Sequence, residues 1–552
     1  MSAPAAAAPP APAAPILRVR GLTLHLPDGR VLFDNLDLEV APGEVVAILG
    51  GSGAGKSTLA RVLFDRELLE ADGYTVSATE LSCDGPLGLV PQRGALFDHL
   101  DVAGNLELAL RRSPAPPADP SALAAAVRSW LAEVDLPAEL ADGAPVTKLS
   151  GGQGQRLAVA RTLAGGRSVL FLDEPSVGLD PYRVDGLARL VREQCDQRGA
   201  AAIVVTHDLA LAVGVADRLL VLDAATGRLV PLLALGPDQA GAWPGPFARQ
   251  GTSRDLRSHW QAAAERALTE RLAAPVARAV GTGAAKAPVP RGRLMRRLTR
   301  VLRPFQVAAT ALLGTPREIA RFPRDFFHVF LRAWIQSFAR PAAFYGVVAT
   351  LLGFTVLYVI SHTAPVGVRP DIAIDMVGGS YVVALTPPVA GFLFVAASGS
   401  ATNAWLGGMG LTRQIAALEA LGVSRQRYLW APVYCALALS FVLVALVFAS
   451  GLLVGGLLLC KLEGVRGGWQ LLAVDLYEPR PERAVYSVRA LWLTVIYAFG
   501  IAADVVAKGS ADKEHADEVT RAMTASVVAS TLWVVVLELV SAFTVFAATR
   551  SG

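Results

Sequence analysis

Residues 43–63, GEVVAILGGSGAGKSTLARVL, decide how the first half of this chain folds. An apolar run ending at Leu49 leads into Gly50, Gly55, Lys56 and Ser57, which follow the spacing G-x-x-x-x-G-K-[ST]. Strand, glycine-rich turn and helix in that order make a phosphate cradle. Backbone amides of Gly50, Gly51, Ser52, Gly53, Ala54 and Gly55 can wrap an anion at the helix N-terminus, with Thr58 in its first turn. Lys56 reaches the β and γ oxygens, and the Ser57 hydroxyl suits Mg²⁺. A second apolar strand ends in acids, SVLFLDEP (168–175). There Asp173 can hold Mg²⁺, directly or through water, and Glu174 can act as general base on an attacking water.

Around these motifs lies a chain of 552 residues, long enough for two to four domains. Its hydrophobic fraction is 53% and its charged fraction 18%, with a mean hydropathy of +0.44. Soluble chains carry about 25% charged residues, so part of this one is expected in a membrane. The net charge is +4, but between Arg291 and Arg340 eleven Arg face only Glu318 and Asp325, a local net of +9. Such a basic flank fits the anionic cytoplasmic leaflet. Cys83, Cys195, Cys435 and Cys460 form no C-x-x-C pair and imply neither a disulfide framework nor a zinc site.

The order along the chain follows from composition. Residues 1–15, rich in Ala and Pro, read as a disordered tail and not as a signal peptide. Residues 16–235 alternate short apolar strands with helical stretches, as an α/β domain does. Residues 236–290 read as a linker with one helix, HWQAAAERALTERLAAPVARAV (259–280). From 291 to 340 basic residues alternate with Leu, Phe and Trp, the pattern of helices lying in the membrane interface. Residues 341–549 then hold five spans: Pro341–Val368, within Gly378–Ser400, within Ala431–Cys460, about Val488–Ala507, and Ala522–Thr549. Arg489 and Asp504 at the ends of the fourth can snorkel. With a cytoplasmic soluble domain, segments 401–430 and 508–521 are cytoplasmic too.

Further motifs give the soluble half a family. LSGGQGQRLAVARTL (149–163) places Ser150, Gly151, Gly152 and Gln153 at a helix N-terminus, and here the chain resembles ABC-transporter ATPases. LVPQ supplies Gln92, SVGLD supplies Asp180, and VVTHD supplies His207. The resemblance implies ATP and Mg²⁺ as cofactors. It places Glu174, His207 and Gln92 in catalysis and Ser57, Gln92 and Asp173 at the metal. Residues 50–58, 150–153 and Asp180 then bind nucleotide, with Ser150 of one subunit completing the site of another. One departure is Leu26, in LHLPDGR, where the family has an adenine-stacking aromatic.

The membrane half carries a second resemblance. TRQIAALEALG (412–422) puts Ile415, Leu418 and Leu421 on one side of a short helix, with Arg413 and Glu419 elsewhere. That is the pattern of a cytoplasmic helix that buries one face in a groove of the ATPase and keeps charge at the rim. The stretch 387–433 is similar to the MlaE-type permeases of MCE-linked lipid transporters. Gly399, Ala404, Gly407, Met409, Thr412, Gln414, Ile415, Ala417, Leu418, Glu419, Gly422, Tyr428, Leu429 and Pro432 fit that pattern. HADEVTRAMTASVVAS (515–530) resembles the segment before the family's last span, and GALFDHLDVAGNL (94–106) is close to its ATPases. At Ala397 and Trp405 the family's Arg and Glu are both missing.

The fold class expected is thus an α/β ABC-type P-loop ATPase domain followed by an all-α membrane domain, an interfacial helix plus five transmembrane helices. The function expected is ATP-driven transport of phospholipid or a related amphiphile by a fused half-transporter of the inner membrane. It would work as a homodimer with a periplasmic MCE-type lipid-binding protein, a small cytoplasmic accessory protein and membrane lipid, and no nucleic acid. An exporter of hydrophobic small molecules and an ATPase gate on a cell-envelope complex are the alternatives. Glu538, deep in the fifth span, reads either as a protonated or snorkelled carboxyl near the outer headgroups or as a residue bordering the lipid path.

Overall fold

The computed structural model describes the chain except residues 1–13, 52, 72, 93–95, 178, 180, 233–253, 274–292, 364–368, 475–480, 512, 514–515 and 552. The expected tail, most of the expected linker, Ser52 and Asp180 therefore lie outside the described residues. Two compact units emerge. One comprises Met1–Arg291 with Thr412–Val423, and the other Gly292–Leu411 with Ser424–Gly552.

The first unit is built on two sheets. Its central sheet has six strands in the order Arg228–Pro231, Arg218–Asp223, Val45–Leu49, Ala201–Val205, Val169–Asp173, Leu87–Val90. All neighbours are parallel except the first pair. Val45–Leu49, Val169–Asp173 and Ala201–Val205 are buried along their whole length, which is why they read as unbroken apolar runs. An antiparallel sheet is centred on Leu17–His25. The helix Arg254–Ala273 covers the central sheet through Ala264, with Trp260, Ala267 and Leu268 packed beside it.

The second unit is helical. Among its described residues, five helical runs are long and apolar enough to cross a membrane: Pro323–Thr363, Ser380–Leu411, Gln426–Leu462, Tyr486–Gly509 and Ala516–Thr544. Their number is the expected one, but their ends differ. The basic segment splits at Phe322, where Pro323 starts a new helix, and that helix continues through a π-helical turn at Ile335–Ala339 into the first span. The second run goes on to Leu411 because nothing from Met376 to Thr412 carries a charge to stop it.

Small residues let two of these helices approach closely. A Cβ on Gly455 would lie 2.0 Å from the Thr350 carbonyl oxygen, and one on Gly353 would lie 2.2 Å from that of Leu452. Helix Ala342–Thr363 is thereby seated on Ala431–Leu462 by backbone contact, the usual solution where water drives no association.

Four charges of the last two helices form two pairs. Lys508 donates to Asp504 Oδ1 at 2.5 Å, and Ser526 and Ser530 donate to its other oxygen at 2.8 and 3.2 Å. Nearer the other end, Arg489 pairs with Glu538, Tyr497 donates to Glu538 Oε1 at 2.9 Å, and Arg489 Nε donates to Ser541 at 2.9 Å. Glu538 is thus bonded to Arg489 and Tyr497, partners that neither reading of its position named, and Arg489 and Asp504 do not snorkel as single charges. The partner of Arg489 is on the next helix, while Asp504 is paired along its own helix to Lys508 and bonded by Ser526 and Ser530 from the next.

Two outcomes follow. Gly455→Leu should force the helices apart and lower stability by about 1–3 kcal/mol, read as an earlier thermal unfolding midpoint in detergent. Glu538→Leu should destabilise by stranding Arg489, and adding Arg489→Leu should recover part of the loss. A double-mutant cycle should give a coupling of about 0.5–3 kcal/mol.

Candidate nucleotide site

Parallel register brings the site together. Ile48 pairs with Val205, Asp173 with Val205, and Val90 with Leu172. The segments following these strands therefore leave the sheet at one edge, carrying residues 50–58, Glu174, His207 and Gln92. That edge is where ligands of open α/β sheets bind.

The glycine-rich turn ends at Gly55, whose φ of +102° suits glycine. A Cβ there would meet Phe33 Cε1 at 2.9 Å. Helix Lys56–Phe64 begins directly after it with no side-chain cap, so its first amides remain available to an anion. Lys56 Nζ donates to the carbonyls of Gly50 at 2.7 Å and Gly51 at 3.2 Å. Ser57 is exposed and Thr58 partly so, whereas Ala54 is buried.

Glu174 sits at φ +49°, one of four non-glycine residues with positive φ among the described residues. Its backbone N–H donates to the Val205 carbonyl at 2.8 Å, and its Oε2 accepts from the His207 N–H at 3.2 Å. His207 Nδ1 is 2.7 Å from the same oxygen. Glu174 and His207 thus form one unit, its carboxylate held where a nucleophilic water could be polarised. Gln92 is exposed just beyond its strand.

Ser150 caps helix Gly151–Ala164 by a reciprocal box: its N–H donates to Gln153 Oε1 at 2.9 Å, and Gln153 N–H donates to Ser150 Oγ at 3.4 Å. Ser150 and Gly151 are exposed, Gly152 is buried. Among the described contacts nothing ties this cap to residues 50–58. Arg161 of the same helix is fully buried, its guanidinium 4.1 Å from the Phe97 ring centre, and burial pushes its pKa down to about 9.

The residues fit a nucleotide-bound magnesium by their chemistry: an exposed hydroxyl at Ser57 and a carboxylate at Asp173, both hard oxygen donors. Asp173 is 3% exposed, and burial pushes its pKa up, opposed by the charge of Arg413. Arg413 Nη1 donates to Asp173 Oδ2 at 2.6 Å. The expected rim charge is therefore wrong for Arg413, which points into the site. The helix itself, Gln414–Ala420, buries more than one face. Ile415, Leu418 and Leu421 are at most 2% exposed, while Ala420 joins the core of the ATPase-like unit with Ala416 beside it.

Comparison with known proteins agrees with both halves. Residues 33–177 match the ABC transporter family and residues 330–544 the family described as Permease MlaE. The aliphatic sulfonates import ATP-binding protein SsuB 1 of Streptomyces avermitilis is 40% identical over 40% of this chain and 78% of its own length. This chain belongs to the ABC transporters. It joins an ABC-type ATPase domain to an MlaE-type permease domain. The molybdenum import ATP-binding protein ModC of Mycobacterium tuberculosis is 38% identical over 35% of this chain, which spans about half the relative's length (54%). A solved structure of CbiO1 from Clostridium perfringens, part of the ABC transporter complex CbiONQ, aligns at 27% identity over 39% of this chain and 87% of that one, with a TM-score of 0.33. ATPases of this class couple ATP hydrolysis to transport.

With Glu174 as general base, Glu174→Gln should retain nucleotide binding and lose about 10²–10⁴-fold in phosphate release, checked by steady-state hydrolysis beside a fluorescent-nucleotide titration. Hydrolysis at the wild-type rate would remove Glu174 from that role.

Proposed function

We propose that this protein is a fused half-transporter that uses ATP to move phospholipid or a chemically similar amphiphile across or out of the inner membrane. The observation that carries the reading is the MlaE-type permease match over five apolar runs, on the same chain as a P-loop ATPase domain. In this reading Lys56, Ser57 and residues 50–55 bind the phosphates of ATP. Asp173, Ser57 and Gln92 attend Mg²⁺, and Glu174 with His207 activates water. Magnesium supplies charge neutralisation at the β and γ phosphates.

Ser150–Gln153 and Asp180 serve the nucleotide of a second copy, so the working unit is a homodimer. The exposed helix N-terminus at Ser150 and Gly151, not engaged with residues 50–58 of its own chain, supports this. The ATPase unit lies in the cytoplasm. An MCE-type periplasmic protein receives or delivers the lipid, and a small cytoplasmic protein accompanies the complex. The import substrates named for the relatives belong to those proteins, whose resemblance here is to the ATPase.

Purification from native membrane with identification of bound lipid and co-purifying proteins tests the reading. Phospholipid and an MCE-type partner are expected, together with ATP-dependent lipid transfer between reconstituted vesicles that fails in Glu174→Gln. A complex free of lipid that instead moves hydrophobic drugs would overturn it.

A further inference from the structure

The Arg413–Asp173 contact joins residues 240 positions apart, both inside the ATPase-containing unit. Asp173 keeps a side-chain exposure of 4% and Arg413 one of 32%. A carboxylate so buried needs a cation, because an unpaired buried charge is costly. Lys56 favours the same charge from nearby but donates to the Gly50 and Gly51 carbonyls. Arg413 supplies the direct bond.

Its placement is fixed from both sides. Arg413 has φ +57° immediately before helix Gln414–Ala420, a conformation that side chains other than Gly, Asn and Asp rarely adopt. Behind it, Ala420 lies in the ATPase-like core and Leu421 lies against Gly165. The backbone from which the guanidinium reaches Asp173 is therefore fixed by the helix. That helix is covalently continuous with the apolar runs ending at Leu411 and beginning at Gln426.

We propose that Arg413 is the internal counter-cation of Asp173, which magnesium-bound nucleotide must displace, so that metal loading is set by the position of helix Gln414–Ala420. This rests on reading Asp173 as a magnesium ligand. Guanidinium and Mg²⁺ both seek the carboxylate's charge. Arg is always protonated and cannot leave by losing its charge. Metal entry then requires the side chain to yield, and the helix that carries it sets how readily it reaches back. Conversely, a permease movement that withdraws the helix leaves Asp173 short of a cation and raises its demand for one. Arg413 is a positioning residue, acting on nucleotide through Asp173.

The test uses the full chain in lipid nanodiscs with Mn²⁺ as spectroscopic probe and a non-hydrolysable ATP analogue. Free Mn²⁺ is counted by electron paramagnetic resonance. Arg413→Gln should bind Mn²⁺ about 3–10-fold more tightly in the presence of the analogue, and Arg413→Lys should shift the same way by less. Unchanged or weaker Mn²⁺ affinity in a variant with wild-type unfolding behaviour overturns the proposal. Should Arg413→Gln fail to fold, Arg413→Lys decides by the same sign. Asp173→Asn separates the two readings. If it retains wild-type Mn²⁺ affinity, the metal assignment itself falls; if it loses Mn²⁺ while both Arg413 variants match wild type, only the role of Arg413 falls.

Discussion

A carboxylate at the end of a wholly buried strand needs charge compensation, and the ATPase half is arranged around that need. Asp173 is where the apolar run Val169–Leu172 meets the one sheet edge that collects the phosphate-binding turn, Glu174 and His207. Ionised, it requires a cation; neutral, it would be a poor metal ligand. The fold answers with two cationic side chains, Lys56 and Arg413, of which only the second bonds it directly in this structure. The short helix behind Arg413 is thus joined to the ATP site by charge as well as by the packing of Ala416, Ala420 and Leu421.

The membrane half meets the same requirement differently. Its charges are answered within the helical bundle: Arg489 by Glu538, Lys508 by Asp504, with Tyr497, Ser526, Ser530 and Ser541 taking remaining valences. In an apolar surrounding the Arg489–Glu538 pair ties two helices while hiding charge from lipid. Where no charge is available the contact is steric, as at Gly353 and Gly455. The Trp405 ring lies 5.6 Å from the Arg332 guanidinium, an aromatic face beside a cation.

What the sequence discloses depends on how local the cause is. The turn at 50–58 is legible because its spacing and its flanking strand and helix are contiguous, and the first three spans are legible from their charge-free runs, the last two from their apolar composition despite Arg489, Asp504 and Glu538. Span ends are less so: the second run reaches Leu411 with no charge to mark its end. Pairings across many residues are hidden. Arg413 and Asp173 both stand out as charges, yet nothing in their neighbourhoods says that one meets the other. The same holds for Arg489 and Glu538, whose meeting depends on the register between two helices. Small residues mislead too: Ala416 and Ala420 look like filler beside Ile415 and Leu418 but sit against the ATPase core.

The strained backbone adds one more link. Of the four non-glycine residues at positive φ among the described residues, two are Glu174 and Arg413, one next to Asp173 in sequence and the other bonded to it. Such conformations persist only where the surroundings over-determine them. For Glu174 these are the Val205 carbonyl and the His207 backbone; for Arg413, the ion pair and the packed helix that follows. Losing the ion pair would remove one of the interactions that keep Arg413 left-handed. Under the proposed displacement of Arg413 by magnesium, a change of charge at Asp173 would reach the backbone at the start of helix Gln414–Ala420.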